Sequence, residues 1–475
     1  MEEPQQRGPA VREVPYPDDV AAIARRLESA PAWCWLDGGF GDDADWSYLA
    51  IASEVRTAAR GGEQRFLEDL RAAASVSSAP VEPSAFSASS AADLTGFTGG
   101  WVAALGYEFG VALLGLDPAE DDAEPAFALR IETVLAIHHA TRRAELRGTD
   151  AASLDRWWVR FGAELPSSEL GEVSTGQRSW ASDLPRAKPT AAHWRQSDAS
   201  YAAQASACQR KIVDGESYVL CLTDTAELEG VSTPPLDLFL RLRGRGGAIR
   251  GAVIVAGDRA LVSASPERFL SVQDRTVSTH PIKGTRPRSA DPAADARLAA
   301  DLAADPKERA ENLMIVDLMR NDLSRVCEPG SVGVDGFLRV ESHPHVHQLV
   351  STVSGQLRAG LDAVDAIAAA FPGGSMTGAP KRRAVEILGA LEGGPRGLYS
   401  GCFGWVDARG DLELAMTIRS IELRGLRGPA ADRSARVGAG GGVTADSDPE
   451  SELREKHLKA APLLAALRGA DPSSE

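Results

Sequence analysis

RALVSASPERFLSVQDRTVSTHPIKGT, residues 259–285, alternates β-branched, aromatic and polar residues between turn signals, the pattern of a strand meander. Helices interrupt such strands further on. DPKERAENLMIVDLMRNDL (305–323) offers Asp305 as an N-cap, Pro306 at the first helical position and Glu308 three residues after the cap, so a helix is predicted to begin there. FPGGSMTGAPKRRAVEILGALEGG (371–394) reads as a glycine loop opening a second helix, and DSDPESELREKHLKAAPLL (446–464) as a third, short one starting with Asp448 and Pro449. Strands that surround helices without regular βαβ alternation predict an α+β body and argue against a doubly wound sheet.

Outward from this stretch, Pro, Ser, Thr and Gly crowd residues 166–189, which separates an N-terminal region (1–190) from a C-terminal one (191–468) holding nearly all the candidate chemistry. Residues 74–93 read as a long polar loop, GFTGGWVAALGYEFG (96–110) as glycine-punctuated strand and turn, and 469–475 as a disordered tail. The charge balance, 51 Lys+Arg against 67 Asp+Glu for a net −16, repels nucleic acid and anionic lipid. Cys34, Cys208, Cys221, Cys327 and Cys402 are scattered without CxxC pairs, and the opening MEEPQQRGPAVREVPYPDD is acidic where a signal peptide is basic and then apolar. These features predict a soluble, cytoplasmic protein with no nucleic-acid or membrane partner.

Glu452 and Glu455 lie three residues apart with Lys459 four further on, so all three project from one face of the third helix, and Glu311 lies on the first. Carboxylates converging from separate helices suit a hard ion such as Mg²⁺, although a Glu-Glu-Lys face is also the ordinary pattern of a solvated surface. GGSMTGAPK (373–381) and VGAGGGV (437–443) can each bring backbone N–H groups to an anion, or be plain tight turns. Neither is a Walker A motif, because Ala379 and not Lys follows Gly378. Lys283 in PIKGTRPR and Glu267 in SPERF each stand at the end of a predicted strand. The alternating His343, His345 and His347 lack a fourth ligand at recognised zinc spacing.

In order, GESYVLCLT, SPERFL, PIKGTRPR, AENLMIVDLMRNDLSRV, VHQLVSTV, FPGGSMTGAPK, RGLYSGCFGWVD, LAMTIRSI and GAGGGVTADSDPESE cover roughly residues 195–465 and resemble the chorismate-utilising enzymes. That family comprises anthranilate synthase component I, aminodeoxychorismate synthase component I, and isochorismate and salicylate synthases. The N-terminal GFTGGWVAALGYEFG resembles the matching segment of the aminating members. The resemblance implies a sandwich-like body with helices outside, both regions packed together, and a Mg²⁺ site made by Glu311, Glu452 and Glu455. It implies chorismate as substrate, with Arg419 on the enolpyruvyl carboxylate and Gly440, Gly441, Gly442, Thr377, Gln348 and Lys459 as further binding residues. Many members have histidine where Gln348 stands, with His347 one residue earlier here; glutamine still offers an amide hydrogen bond but moves no proton near neutral pH.

Within the family, lysine at the third position of PIKGT is similar to the aminodeoxychorismate synthases, where anthranilate synthases usually carry alanine. Lys283 is then the nucleophile at ring carbon C2 and Glu267 the general acid for the departing 4-hydroxyl, after which ammonia adds at C4 and expels the lysine. Nearby cations are expected to help Lys283 lose its proton. The implied product is 4-amino-4-deoxychorismate, for p-aminobenzoate and folate biosynthesis. Cys402 in SGCFG approaches the glutaminase elbow but no His-x-Glu follows, so a separate glutamine amidotransferase is the expected ammonia source. The alternatives are an anthranilate synthase component I, an isochorismate or salicylate synthase, and a non-catalytic homologue that binds aromatic metabolites.

Overall fold

The computed structural model describes residues 10–38, 45–75, 95–162, 191–244, 250–343 and 346–469. The segments 166–189 and 470–475, and all but the first two residues of 74–93, lie outside them; residues 74 and 75 end the helix Glu63–Ser75. Two large antiparallel sheets form the body. One runs through Ala10–Val14, Arg143–Gly148, Thr133–His138, Trp46–Ile51, Ala32–Asp37, Arg250–Ala256, Arg259–Ser265, Ser420–Arg424, Ser434–Val443, Val219–Glu229 and Gly378–Ala379. The other runs through Ile282–Pro287, Val346–Gln356, Thr276–Thr279, Arg268–Gln273, Leu412–Met416, Cys402–Asp407, Gly100–Leu105, Ala126–Ile131 and Glu54–Ala58.

The two-residue period of the strands builds the layers. Ala32, Cys34 and Leu36 join Val102, Ala104, Phe127 and Phe403 in a core between the sheets, while Trp33 and Trp35 turn to the outside. Each fully buried phenylalanine of that layer contributes on the order of 3 kcal/mol. Helices Val20–Leu27, Pro235–Arg243 and Pro449–Arg468 cover the outside of the first sheet, and Pro306–Ser324 with Ala363–Ala370 the outside of the second. The result is the expected α+β sandwich with helices outside. Strands from both ends of the chain pair directly, Ala32–Asp37 with Arg250–Ala256 and Gly100–Leu105 with Cys402–Asp407.

The meander is present as Arg259–Ser265, Arg268–Gln273, Thr276–Thr279 and Ile282–Pro287, but it divides between the sheets. The turn at Pro266 and Glu267 is the crossing point. Asp305 caps its helix by accepting from the N–H groups of Lys307 and Glu308 at 3.0 and 3.2 Å, and Asp448 accepts from the Ser451 N–H at 2.9 Å. Three expectations need correction. The third helix is not short: Pro449–Arg468 has 20 residues and continues through Pro462. The 437–443 glycines belong to a strand, paired residue by residue with Val219–Glu229 so closely that a Cβ at Gly440 would stand 2.0 Å from the Leu222 carbonyl oxygen. GYEFG opens the helix Tyr107–Leu113 where a turn was predicted.

Candidate functional site

A cavity of about 630 Å³ lies where the meander crosses between the sheets. Its back wall is the glycine strand Ser434–Val443. That strand pairs with Val219–Glu229 along its length, whereas its other neighbour, Ser420–Arg424, leaves it at Val437. Gly438 to Gly442 therefore turn an unpaired backbone edge to the cavity, and Gly440, Gly441 and Gly442 line it. Gly438 makes room for a ring: a Cβ there would stand 2.1 Å from Tyr399 Cδ1.

Cations converge on this edge. Arg419 lines the cavity with φ 51°, a left-handed conformation rare for a side chain of its size, and burial pulls its guanidinium below its ordinary value. Lys459 donates to the Gly440 carbonyl at 2.9 Å and reaches Glu455 at 2.6 Å.

Glu311 and Glu455 line the cavity from two helices, with Lys307 3.8 Å from Glu311. Glu452 is buried behind Gly441. Its Oε1 accepts from the Ser447 hydroxyl at 2.7 Å, and its Oε2 has no hydrogen-bond partner. Burial raises the Glu311 and Glu452 carboxyls, and the Glu455 charge raises Glu452 further. Glu455 is pushed up by burial too, but Lys459 outweighs that and holds it below its usual range. Among the described residues no three His, Cys, Asp or Glu side chains stand gathered on one point at ligating distance. The donor set is nonetheless three carboxylates, one with an orphaned buried oxygen, which is chemistry that fits a hard divalent cation.

Lys283 and Glu267 both line the cavity. Burial raises the Glu267 carboxyl; Lys283 and a hydrogen bond from Ser375 oppose the rise. Lys283 shares the cavity with charges of both signs, the carboxylates of Glu267, Glu311 and Glu455 and the cations Lys307, Arg419 and Lys459. Gln348 also lines the cavity and its Oε1 is buried without a partner. On the alternating strand His347 faces away, 3.0 Å from Asp295 and 2.8 Å from the Ser342 hydroxyl. His345 lies outside the described residues.

Thr377 is not brought to the cavity. Fully buried, it donates to the Gly373 and Gly374 carbonyls and its own carbonyl accepts from Cys221 N–H, so it fixes the turn whose Ser375 and Met376 do line the site. Cys402 is wholly buried in its strand with its thiol pushed well up by burial, which leaves it no nucleophilic role. Sequence reasoning missed Lys307, Ser375, Tyr399, Ile418 and Arg454 in the lining. Each lay inside a quoted stretch, Lys307 in DPKERAENL, Ser375 in GGSMTGAPK, Tyr399 in RGLYSG, Ile418 in LAMTIRSI and Arg454 in DSDPESELREKH, but no residue type there singled it out.

A family model described as chorismate binding enzyme matches residues 33–465. The aminodeoxychorismate synthase of Streptomyces pristinaespiralis is 37% identical, over 97% of this chain and 65% of that protein. The aminodeoxychorismate synthase of Streptomyces griseus is 41% identical over 80% of this chain and 51% of its own. The chain thus spans between about half and two thirds of the length of these relatives. Anthranilate synthase component 1 of Streptomyces coelicolor is 36% identical over 80% of this chain and 74% of its own. In three dimensions the chain resembles anthranilate synthase component I from Streptococcus pneumoniae, with a TM-score of 0.70 at 24% identity over 88% of this chain and 92% of that one. The menaquinone-specific isochorismate synthase of Escherichia coli gives 0.68 at 18% identity over 98% and 96%.

Proposed function

Because the chain belongs to the chorismate binding enzymes, we propose that it aminates chorismate at C4, giving 4-amino-4-deoxychorismate. The observation that carries this reading is Lys283 facing the same cavity as Glu267, so that a nucleophile and an acid meet over one ligand. Arg419 and the open edge of Gly440 to Gly442 grip the enolpyruvyl carboxylate. Glu311 and Glu455, with Glu452 behind them, would hold Mg²⁺, which when bound supplies a positive charge for the ring carboxylate and for negative charge developing at the reacting ring.

Lys283 passes a proton to Glu267, whose burial favours the neutral acid. The free amine forms a bond to C2, the two ring double bonds shift toward C4, and the C4–O bond breaks as Glu267 returns the proton, releasing water. Ammonia then bonds to C4, the double bonds shift back, and the C2–N bond to Lys283 breaks. Gln348 offers its unpartnered Oε1 to a hydroxyl or an incoming ammonia. With Cys402 sealed in the core and no nucleophilic role open to it, a glutamine amidotransferase outside these 475 residues is the expected source of ammonia. Five buried, unpaired cysteines fit a reducing cytoplasm, and no helix among the described residues is long and apolar enough to cross a membrane.

Incubation with chorismate, Mg²⁺ and an ammonium salt, followed by mass spectrometry, is the test. A product that keeps its enolpyruvyl group and gains nitrogen is expected. Release of pyruvate with anthranilate would overturn the assignment.

A further inference from the structure

The floor of the cavity rests on a residue that does not touch it. Arg396 is 1% exposed, and its donors go to five acceptors: Nε and Nη2 to the two Glu392 oxygens at 2.8 and 2.7 Å, Nη1 to the Met376 carbonyl at 2.7 Å and the Ser400 hydroxyl at 3.2 Å, and Nη2 also to the Cys221 carbonyl at 3.0 Å. Cys221 and Met376 line the cavity, and Ser400 follows Tyr399, which lines it too. Ser400 stands at φ 64°, an uncommon conformation for a non-glycine residue, so the turn carrying Tyr399 needs an external hold.

GYEFG of the N-terminal region holds Arg396 in turn. The Tyr107 ring lies under the guanidinium, 4.0 Å from its central carbon, and Glu108 accepts from the Arg396 and Gly397 N–H groups at 2.8 and 3.0 Å. The Tyr107 hydroxyl is buried without a partner, so the ring face is what the site uses.

We propose that Arg396 is a positioning residue for the reaction, aligning the wall of Cys221, Met376 and Tyr399 against the substrate ring, and that the N-terminal segment acts on the site through the Tyr107 face. This rests on the function proposed above. The carboxylate-gripping groups, Arg419 and the glycine edge, are not among its partners, so alignment and not substrate affinity is what its loss disturbs.

The experiment measures kcat for amination with ammonium salt and, by calorimetry, the chorismate Kd, on folded wild type, Arg396→Lys, Tyr107→Leu and Tyr107→Phe. Lysine keeps the charge but not the fork, and kcat is expected to fall about 100-fold while Kd stays within about threefold. Tyr107→Leu lowers kcat about tenfold and Tyr107→Phe restores it to within about twofold. If Arg396→Lys does not fold, the Tyr107 pair decides alone, since it leaves every Arg396 hydrogen bond in place. A kcat unchanged in Tyr107→Leu, equal losses in leucine and phenylalanine, or a loss residing in Kd overturns the proposal. If wild type makes anthranilate instead, the functional reading fails, while the same kcat ratios on that product still judge Arg396.

Discussion

A methyl group at Gly441 would stand 2.7 Å from Glu452 Oε2. The glycine strand and the carboxylate helix thus touch where no side chain fits. Gly441→Ala pushes the glutamate from its place, and Mg²⁺ affinity measured by titration calorimetry should fall about 10- to 100-fold, the usual effect of displacing a group that orients or supplies a ligand. Unchanged affinity would remove Glu452 from the metal site.

Lys283 and Glu267 separate cleanly by substitution. Glu267→Gln should lower kcat about 10²- to 10⁴-fold through loss of the acid. Lys283→Arg keeps charge but not nucleophilicity, so it should be as inactive at C4 as Lys283→Ala. Intact-mass measurement of wild type with chorismate and no ammonia should reveal an adduct on Lys283; an active arginine variant would reduce Lys283 to a binding group.

Gln348 and His347 are neighbours in sequence with opposite duties. Gln348→Ala, which removes the buried acceptor facing the cavity, should lower kcat/KM about three- to tenfold. His347→Ala breaks contacts with Asp295 and Ser342 on the far side, so its effect should appear as lost thermal stability with kcat/KM near wild type. Equal catalytic losses would contradict the strand's facing.

The helix starts at Asp305 and Asp448 were legible because capping is local chemistry, written within four residues. That Glu311, Glu455 and Lys283 face one cavity was legible too, once motif order supplied the tertiary context. What was not legible depends on distant backbone. Nothing in VGAGGGV says that Leu222 will approach Gly440 and draw the glycines into a strand. The family resemblance implies Thr377 as a binding residue, but its hydroxyl is consumed by its own loop's carbonyls. Arg396 stood first in RGLYSG and four residues after Glu392, but its other acceptors come from residues 221, 376 and 400, which no local pattern joins to it.

Burial pushes the Glu108 carboxyl up to about 7, with the Asp121 charge adding to the rise and the amide donors and Arg396 opposing it. A carboxyl raised by folding adds stability that is complete below its unfolded value, near 4.5, and is lost as pH rises through about 7. Glu108→Gln does not titrate, so between about pH 4.5 and 8 it should lose of the order of 3 kcal/mol less unfolding free energy than wild type. Urea titrations at several pH values measure this slope. Parallel slopes would show that Glu108 is ionised at no such cost.

The pairing of Ala32–Asp37 with Arg250–Ala256, and of Gly100–Leu105 with Cys402–Asp407, sets the order in which the molecule can assemble during synthesis. A nascent chain of the first 160 residues holds strands whose neighbours have not yet been translated, leaving bare hydrogen-bonding edges and apolar faces. Contacts of such high sequence separation form slowly. The early chain is therefore exposed to misassociation until residue 407 has left the ribosome, and its yield in a cell should depend on chaperones that shield open sheet edges.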